Sequence, residues 1–324
     1  GFPFAEIVVD ARQLGEGFPE DNLTPRGLVV RLAEETFIAY DTDLLRVAAA
    51  WKGGFLSEES LATKSYQYAK KKKGGGQATL PAVIGQAIVA NGLYPGVQVG
   101  ADPEFSDPRP AGKDPREIGR GALPEGMGRW RSAEVLGERV RLKYEVGGIE
   151  ISESPFITAE GAIGRSLHIG EHPNRKISLV LGTGPVATFV QVDGGKLTRL
   201  EAEADRPVTL TLDANPAEQA IVVLYSESRP DTLLPPPLPD QGGSHWGETI
   251  TTRGSLGSDS GDFAVDHIGL PEDNAQRRNL RPSGIDFFPD GRAAVVTYDG
   301  DVWIVSGLDG GLGSVRWKRF AGGM

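Results

Sequence analysis

Residues 279–305 limit the possible fold more than any other stretch. Arg281-Pro282-Ser283-Gly284-Ile285-Asp286-Phe287-Phe288 reads as a strand and Pro289-Asp290-Gly291 as a turn, then Ala293-Ala294-Val295-Val296-Thr297 as a second strand. Asp299-Gly300 makes another turn, and Val302-Trp303-Ile304-Val305 a third strand. Asp-Gly pairs supply the positive φ angles that tight hairpins require, so the segment has the hairpin rhythm of a β-propeller blade. A further strand is expected over residues 314–320. One blade can neither close a ring nor cover its own sheet edges. The chain therefore reads as the front part of something larger, or as a piece that borrows a partner.

The remaining sequence is also β-rich. Short runs of branched and apolar residues, such as Glu6-Ile7-Val8-Val9, Leu28-Val29-Val30, Ile177-Ser178-Leu179-Val180-Leu181 and Ala220-Ile221-Val222-Val223-Leu224, are punctuated by 44 glycines and 23 prolines. Arg139-Val140-Arg141-Leu142-Lys143-Tyr144-Glu145-Val146 alternates charged and apolar residues, as a strand with one solvated face must. Gly147-Gly148 and Asp193-Gly194 follow strands at positions suited to hairpin turns. A two-sheet sandwich is the usual solution for such a pattern.

The expected fold is all-β: a β-sandwich over residues 1–232, a Pro/Gly/Ser-rich linker over 233–261 and an incomplete propeller-like blade over 262–324. The sandwich carries a loop insertion near 56–128, in which residues 57–62 suggest a capped turn and 81–91 a short apolar helix. Leu234-Pro235-Pro236-Pro237-Leu238-Pro239 is stiff polyproline and marks the boundary. Val140, Leu142, Tyr144, Leu179, Leu181, Phe189, Val190, Val222, Leu224, Phe287, Val295 and Trp303 are expected inside.

Composition removes several function classes. A net charge of -10 argues against a nucleic-acid surface, which needs basic side chains to neutralise phosphates. The chain has no cysteine, which excludes disulfides, thiolate catalysis, Cys-based zinc sites and covalent c-type haem attachment within these residues. No cofactor is expected within this chain. It opens on Gly1 rather than Met, so processing after a signal or anchor segment is expected.

Particular strings carry a family resemblance. Gly284-Ile285-Asp286-Phe287-Phe288-Pro289-Asp290-Gly291-Arg292-Ala293-Ala294-Val295 and Gly300-Asp301-Val302-Trp303-Ile304-Val305 resemble the first propeller blade of large secreted bacterial proteins related to glucose/sorbosone dehydrogenases. Often fused to a haem-binding cytochrome c region, that family also carries a domain of unknown function ahead of the propeller. The strings Thr24-Pro25-Arg26-Gly27-Leu28-Val29-Val30, Tyr40-Asp41-Thr42-Asp43-Leu44-Leu45-Arg46-Val47 and Leu142-Lys143-Tyr144-Glu145-Val146-Gly147-Gly148 look like it. The resemblance implies a periplasmic or secreted location and a redox-associated setting.

Candidate sites are few. Asp41 and Asp43, with Trp51 and Trp130, form a candidate glycan-binding group, since sugars stack on indoles and hydrogen-bond to carboxylates. In the alternative, Asp41 caps a turn, Asp43 pairs with Arg46, and both indoles are core. Lys70-Lys71-Lys72-Lys73 is a candidate contact for a partner or polyanion, set against a solvated loop. His168 and His172 have helical metal spacing, but Gly170 and Pro173 oppose a helix there, so no metal site is expected. Asp259, Asp262 and Asp266 are weighed as calcium ligands against a solvated linker. No Gly-x-Ser-x-Gly elbow occurs, and no catalytic residue is assigned.

Two functions follow as expectations. In the first, the chain is a non-catalytic binding or scaffolding module of an exported assembly, an accessory subunit of a membrane-associated redox complex, with a protein partner or further blades against its open edge. In the second, it is the front part of a periplasmic quinone-dependent sugar dehydrogenase whose catalytic propeller and haem lie beyond Met324.

Overall fold

The computed structural model describes residues 4–57, 80–112, 119–203, 206–231, 235, 237–238, 248–259, 261–274, 280–298 and 300–322. Among them every regular element is a strand, and no helix is long and apolar enough to cross a membrane. The fold is all-β. It divides into two compact units, the larger within Pro3–Leu61 and Tyr66–Gly242, the smaller containing Gly243–Met324.

Three antiparallel sheets build the larger unit. The first runs in chain order through β1 (Phe4–Asp10), β2 (Leu23–Ala33), β3 (Thr36–Asp41), β4 (Arg46–Lys52) and β5 (Gln86–Ala90). The second has seven strands. From one edge they are β7 (Gly128–Leu136), β8 (Arg139–Val146), β9 (Ile149–Ile157), β10 (Ile163–Ile169), β15 (Gln219–Ser226), β12 (Ala187–Val192) and β13 (Thr198–Leu200). The third sets β11 (Ile177–Gly182) between β6 (Val97–Val99) and β14 (Val208–Leu212).

The alternation of Arg139–Val146 appears directly as strand β8, with its four apolar positions buried and its four charged ones half-exposed. Its hairpin to β9 turns on Gly147 and Gly148, at φ 56° and 80°. Consecutive positive φ angles are those of the tight turn that matches strand twist, and a side chain at either position would be strained.

β3 is buried at all six positions, so it shows no solvated face. Tyr40 reaches Glu153 of β9, which places that side of β3 toward the seven-stranded sheet. On the other side Phe37, Ala39, Ala49 and Trp51 pack with Val9, Ala11 and Leu56. Leu14, Phe18, Phe55 and Val83 close over them, so the sheet's own connections cover its second face.

Residues 81–91 do not form the expected helix. Gln86–Ala90 is strand β5, paired with β4 through Ala49↔Ala90 and Ala50↔Val89. A short apolar run bounded by Gly85 and Gly92 has no period that separates strand from helix, and the open edge of β4 decides it. With β5 and β6 in sheets, the 56–128 insertion is part of the sandwich rather than only loops over it. The capped turn expected at 57–62 lies, from residue 58 on, outside the described residues.

In the smaller unit five strands form one antiparallel sheet in the order β16 (Thr249–Thr252), β22 (Val315–Ala321), β21 (Val302–Ser306), β20 (Ala293–Thr297), β19 (Pro282–Phe287). A two-stranded ribbon, β17 (Gly254–Ser255) with β18 (His267–Ile268), accompanies it. The meander β19 to β22 is the one read from the sequence, with Gly291 and Gly300 at φ 81° and 79° in its turns. Thr249–Thr252, in the stretch read as linker, is a strand because β22 has a free edge that Thr249↔Lys318 and Thr251↔Arg316 occupy, and Gly254–Ser255, in the same stretch, is a strand paired with β18.

Of the twelve residues expected inside, ten are buried. Val222 is half-buried on β15, and Phe287 is 63% exposed.

Candidate functional site

Asp41 and Arg46 bracket the turn from β3 to β4 and are both buried. Asp41 Oδ1 accepts the backbone N–H groups of Asp43 (3.0 Å) and Leu44 (3.1 Å), which is an Asx-type turn. Its Oδ2 accepts from Arg46 Nη2 at 3.2 Å. Arg46 also donates to Thr24 Oγ1, Asn22 Oδ1 and the carbonyl of Asn91. Asn22 and Asn91 donate in turn to the carbonyls of Ala48 and Val47. Gly96 packs against this pair so closely that a Cβ there would stand 2.5 Å from Arg46 Cα. The cluster ties β2, β4 and the chain after β5 together, and its charges are spent on one another.

Asp43 pairs with Arg26 (3.1 Å) rather than with Arg46. Burial pushes its carboxyl above the usual value, against the pull of Arg26. Trp51 is 0% exposed, stacks on Phe37 at 5.5 Å and donates Nε1–H to the carbonyl of Gly54. It offers no open ring face. Trp130, on edge strand β7, is half-buried and lies parallel to Tyr144 of β8 at 6.5 Å. The four residues are not brought together on one open surface: Asp41, Asp43 and Trp51 are interior, Asp41 caps the turn as in the core alternative, and Asp43 takes Arg26 instead of the Arg46 expected there. Lys70, Lys71, Lys72 and Lys73 lie outside the described residues.

His168 projects from β10 and meets Glu218 at 3.0 Å. His172 is fully buried, with Nδ1 on the carbonyl of Gly170 and Nε2 without a partner among the described residues. Among the described residues no three His, Asp or Glu side chains converge as a metal-holding group.

A second buried polar group of the larger unit, centred on Glu153, is not among the candidates read from the sequence. Glu153 of β9 is 1% exposed. Its Oε1 accepts from Tyr40 (2.7 Å) and Arg165 Nε (2.6 Å), its Oε2 from Tyr144 (2.9 Å) and Arg165 Nη2 (3.0 Å). Arg165 also reaches Tyr225, whose hydroxyl donates to the carbonyl of Leu181. In Ile149-Glu150-Ile151-Ser152-Glu153, Glu153 takes the period-two position of Ile149 and Ile151, and Arg165 that of Ile163 and Leu167, a signal that becomes readable once β9 and β10 are paired. A charge on an inward position needs an inward partner.

Burial, reinforced by the Glu153 carboxylate, holds the Tyr40 and Tyr144 hydroxyls well above the ordinary phenol value of 10.0. The folded state then keeps protons that the unfolded chain releases. The associated stability is complete below about pH 10 and is lost as pH rises through and beyond that value. The urea midpoint is expected to fall above that pH, and the fall to flatten in Tyr40→Phe.

In the smaller unit one face of the sheet is apolar. Ala293, Val295, Trp303, Val305, Val315 and Trp317 share a face covered by Leu280 and Leu312, with Leu270 and Leu308 packed against it. Ile285 and Phe287 belong to the same face, as register partners of Val295 and Ala293. Yet they are 56% and 63% exposed, because the cover stops short of β19. This corrects the expected burial of Phe287: its side of the sheet is apolar, but nothing among the described residues lies over it. A groove of about 260 Å³ runs there, lined by Ile268, Pro282, Ile285, Leu308 and Trp317. On the opposite face Val296 and Phe320 are exposed beside Arg316 and Lys318.

Residues 38–153 match a family model described as "Domain of unknown function (DUF6797)", a stretch that runs from within β3 to Glu153 of β9. No curated protein and no solved structure matches the chain.

Proposed function

We propose that this chain is a non-catalytic binding or scaffolding module of an exported protein assembly, with the open sheet of the smaller unit as its contact surface. The observation that carries the reading is β19, exposed at all six positions while its inward-facing register partners are buried. Soluble proteins rarely leave a contiguous apolar patch uncovered unless something binds there. The edge itself is protected: Asp286 Oδ1 accepts the Phe287 N–H at 2.8 Å, and Pro282 has no N–H to give. Recognition therefore goes through the sheet's faces more than through strand addition. The exported setting rests on the resemblance of residues 280–308 to secreted proteins. Hydrogen exchange over Pro282–Phe287, in the native assembly and in the isolated chain, tests the reading.

The β19 to β22 meander favours a second reading, the front part of a periplasmic quinone-dependent sugar dehydrogenase, since four meandering strands are the architecture of one propeller blade. Quinone-dependent sugar oxidation by the native protein separates the two.

A further inference from the structure

Asp193-Gly194, Asp290-Gly291, Asp299-Gly300 and Asp309-Gly310 are the Asp-Gly steps of the chain, and Asn91-Gly92 is its one Asn-Gly step. At such a step no side chain shields the glycine nitrogen, which can attack Cγ of the residue before it. For aspartate the N–Cγ bond forms as the carboxyl hydroxyl and the amide proton leave together as water, which closes a five-membered imide. Water then adds to either imide carbonyl, and opening at the main-chain one leaves the backbone running through Cβ and Cγ. Nothing but water is exchanged.

The fold restrains three of these steps. Asn91 is buried, donates Nδ2–H to the carbonyl of Val47 at 2.8 Å and accepts from the Tyr94 hydroxyl at 3.3 Å. Asp193 accepts the Ala220 N–H at 2.8 Å on Oδ1 and Gln219 Nε2 at 3.3 Å on Oδ2. Asp290 accepts the Arg292 N–H at 3.2 Å and Nε at 2.8 Å, and pairs with its Nη2 at 2.7 Å. Asp299 lies outside the described residues. Asp309 differs: it and Gly310 are exposed, and neither makes a hydrogen bond among the described residues. A Cβ placed on Gly310, Gly311 or Gly313 would meet nothing within 4 Å, so the backbone there has room to reach the reactive geometry.

We propose that Asp309-Gly310 is a site of spontaneous isomerisation to β-linked aspartate, and that the product loosens the cover over the apolar face of the small sheet. Both ends of the loop are anchors of that cover. Leu308 packs against the face, and Leu312 is 3% exposed within it, its carbonyl accepting the Gly254 N–H at 2.7 Å. Leu312 stands at φ 57°, a conformation that a leucine keeps only where its surroundings hold it. The β-linked product adds one backbone carbon between these anchors and moves the negative charge onto the main chain, so the strained anchor is the one that yields.

Peptide mapping of the purified full chain after storage in warm, mildly acidic buffer tests this, with chromatography that separates aspartate isomers of equal mass. The Asp309 peptide is expected to convert at least about tenfold faster than those of Asp193 and Asp290, whose carboxylates must first shed hydrogen bonds. In denaturing urea the three are expected to convert at similar rates. Gly310→Val, whose side chain has open space, is expected to slow conversion at Asp309 by crowding the attacking nitrogen. Hydrogen exchange at Gly254 is expected to be faster in the stored protein than in fresh protein, and to stay slow in stored Gly310→Val. An Asp309 peptide that stays unconverted, or that converts no faster than the other two in the folded chain, overturns the proposal. A rate difference that persists in urea overturns the role given to the fold. Conversion with unchanged exchange at Gly254 overturns the loosening of the cover.

Discussion

Glu153→Ala is expected to lower the stability of the larger unit by about 3–5 kcal/mol, the cost of leaving a buried charge without its partner. Arg165 is 3% exposed and would lose both of its short bonds to the carboxylate, while Tyr40 and Tyr144 would lose their acceptor. Urea unfolding of this unit, followed by near-UV circular dichroism, reads the effect. The double variant Glu153→Leu/Arg165→Met should be far milder than the single one, because replacing both charges removes the desolvation cost along with the attraction. Equal destabilisation by single and double variants would show that packing rather than charge governs the site.

Trp51→Ala carries a similar expected loss, about 3–5 kcal/mol, from a large cavity in the cluster around Phe37, Ala49 and Leu56. Trp130→Ala should cost less, since its ring is half-buried at an edge strand. Thermal unfolding of the two variants side by side checks the ordering. A Trp51→Ala protein with the parental melting temperature would contradict the core position of that indole.

Most strands were readable because their inward and outward positions differ in chemistry. Arg139–Val146 is the clearest case, and its Gly147-Gly148 turn follows from φ alone. Legibility failed where both faces are covered. The apolar run of Gln86–Ala90 has no period that separates strand from helix, and that of Val47–Trp51 has none that separates a core indole from an open one; the partners of β4 and the Phe37 stack decide both. The turn at Asp41 was anticipated, yet the partners were exchanged: Arg46 takes Asp41, and Arg26, distant in sequence, takes Asp43. Spacing cannot rank two carboxylates against a cation when the alternative partner comes from another strand.

Glu153 and Arg165 were overlooked for a different reason. Each breaks the inward pattern of its own strand, but neither break has meaning until β9 and β10 are known to be neighbours. Phe287 was expected inside because its strand pattern is that of a buried face. Burial depends on what lies over that face, and no single-strand pattern contains that information.

The contact surface proposed for the smaller unit is tested most directly by hydrogen exchange over Pro282–Phe287, comparing the protein in its native extract with the dilute isolated chain. The account predicts slow exchange in the extract and fast exchange in isolation, with the covered strand Val302–Ser306 slow in both. Fast exchange over Pro282–Phe287 in both samples would contradict it.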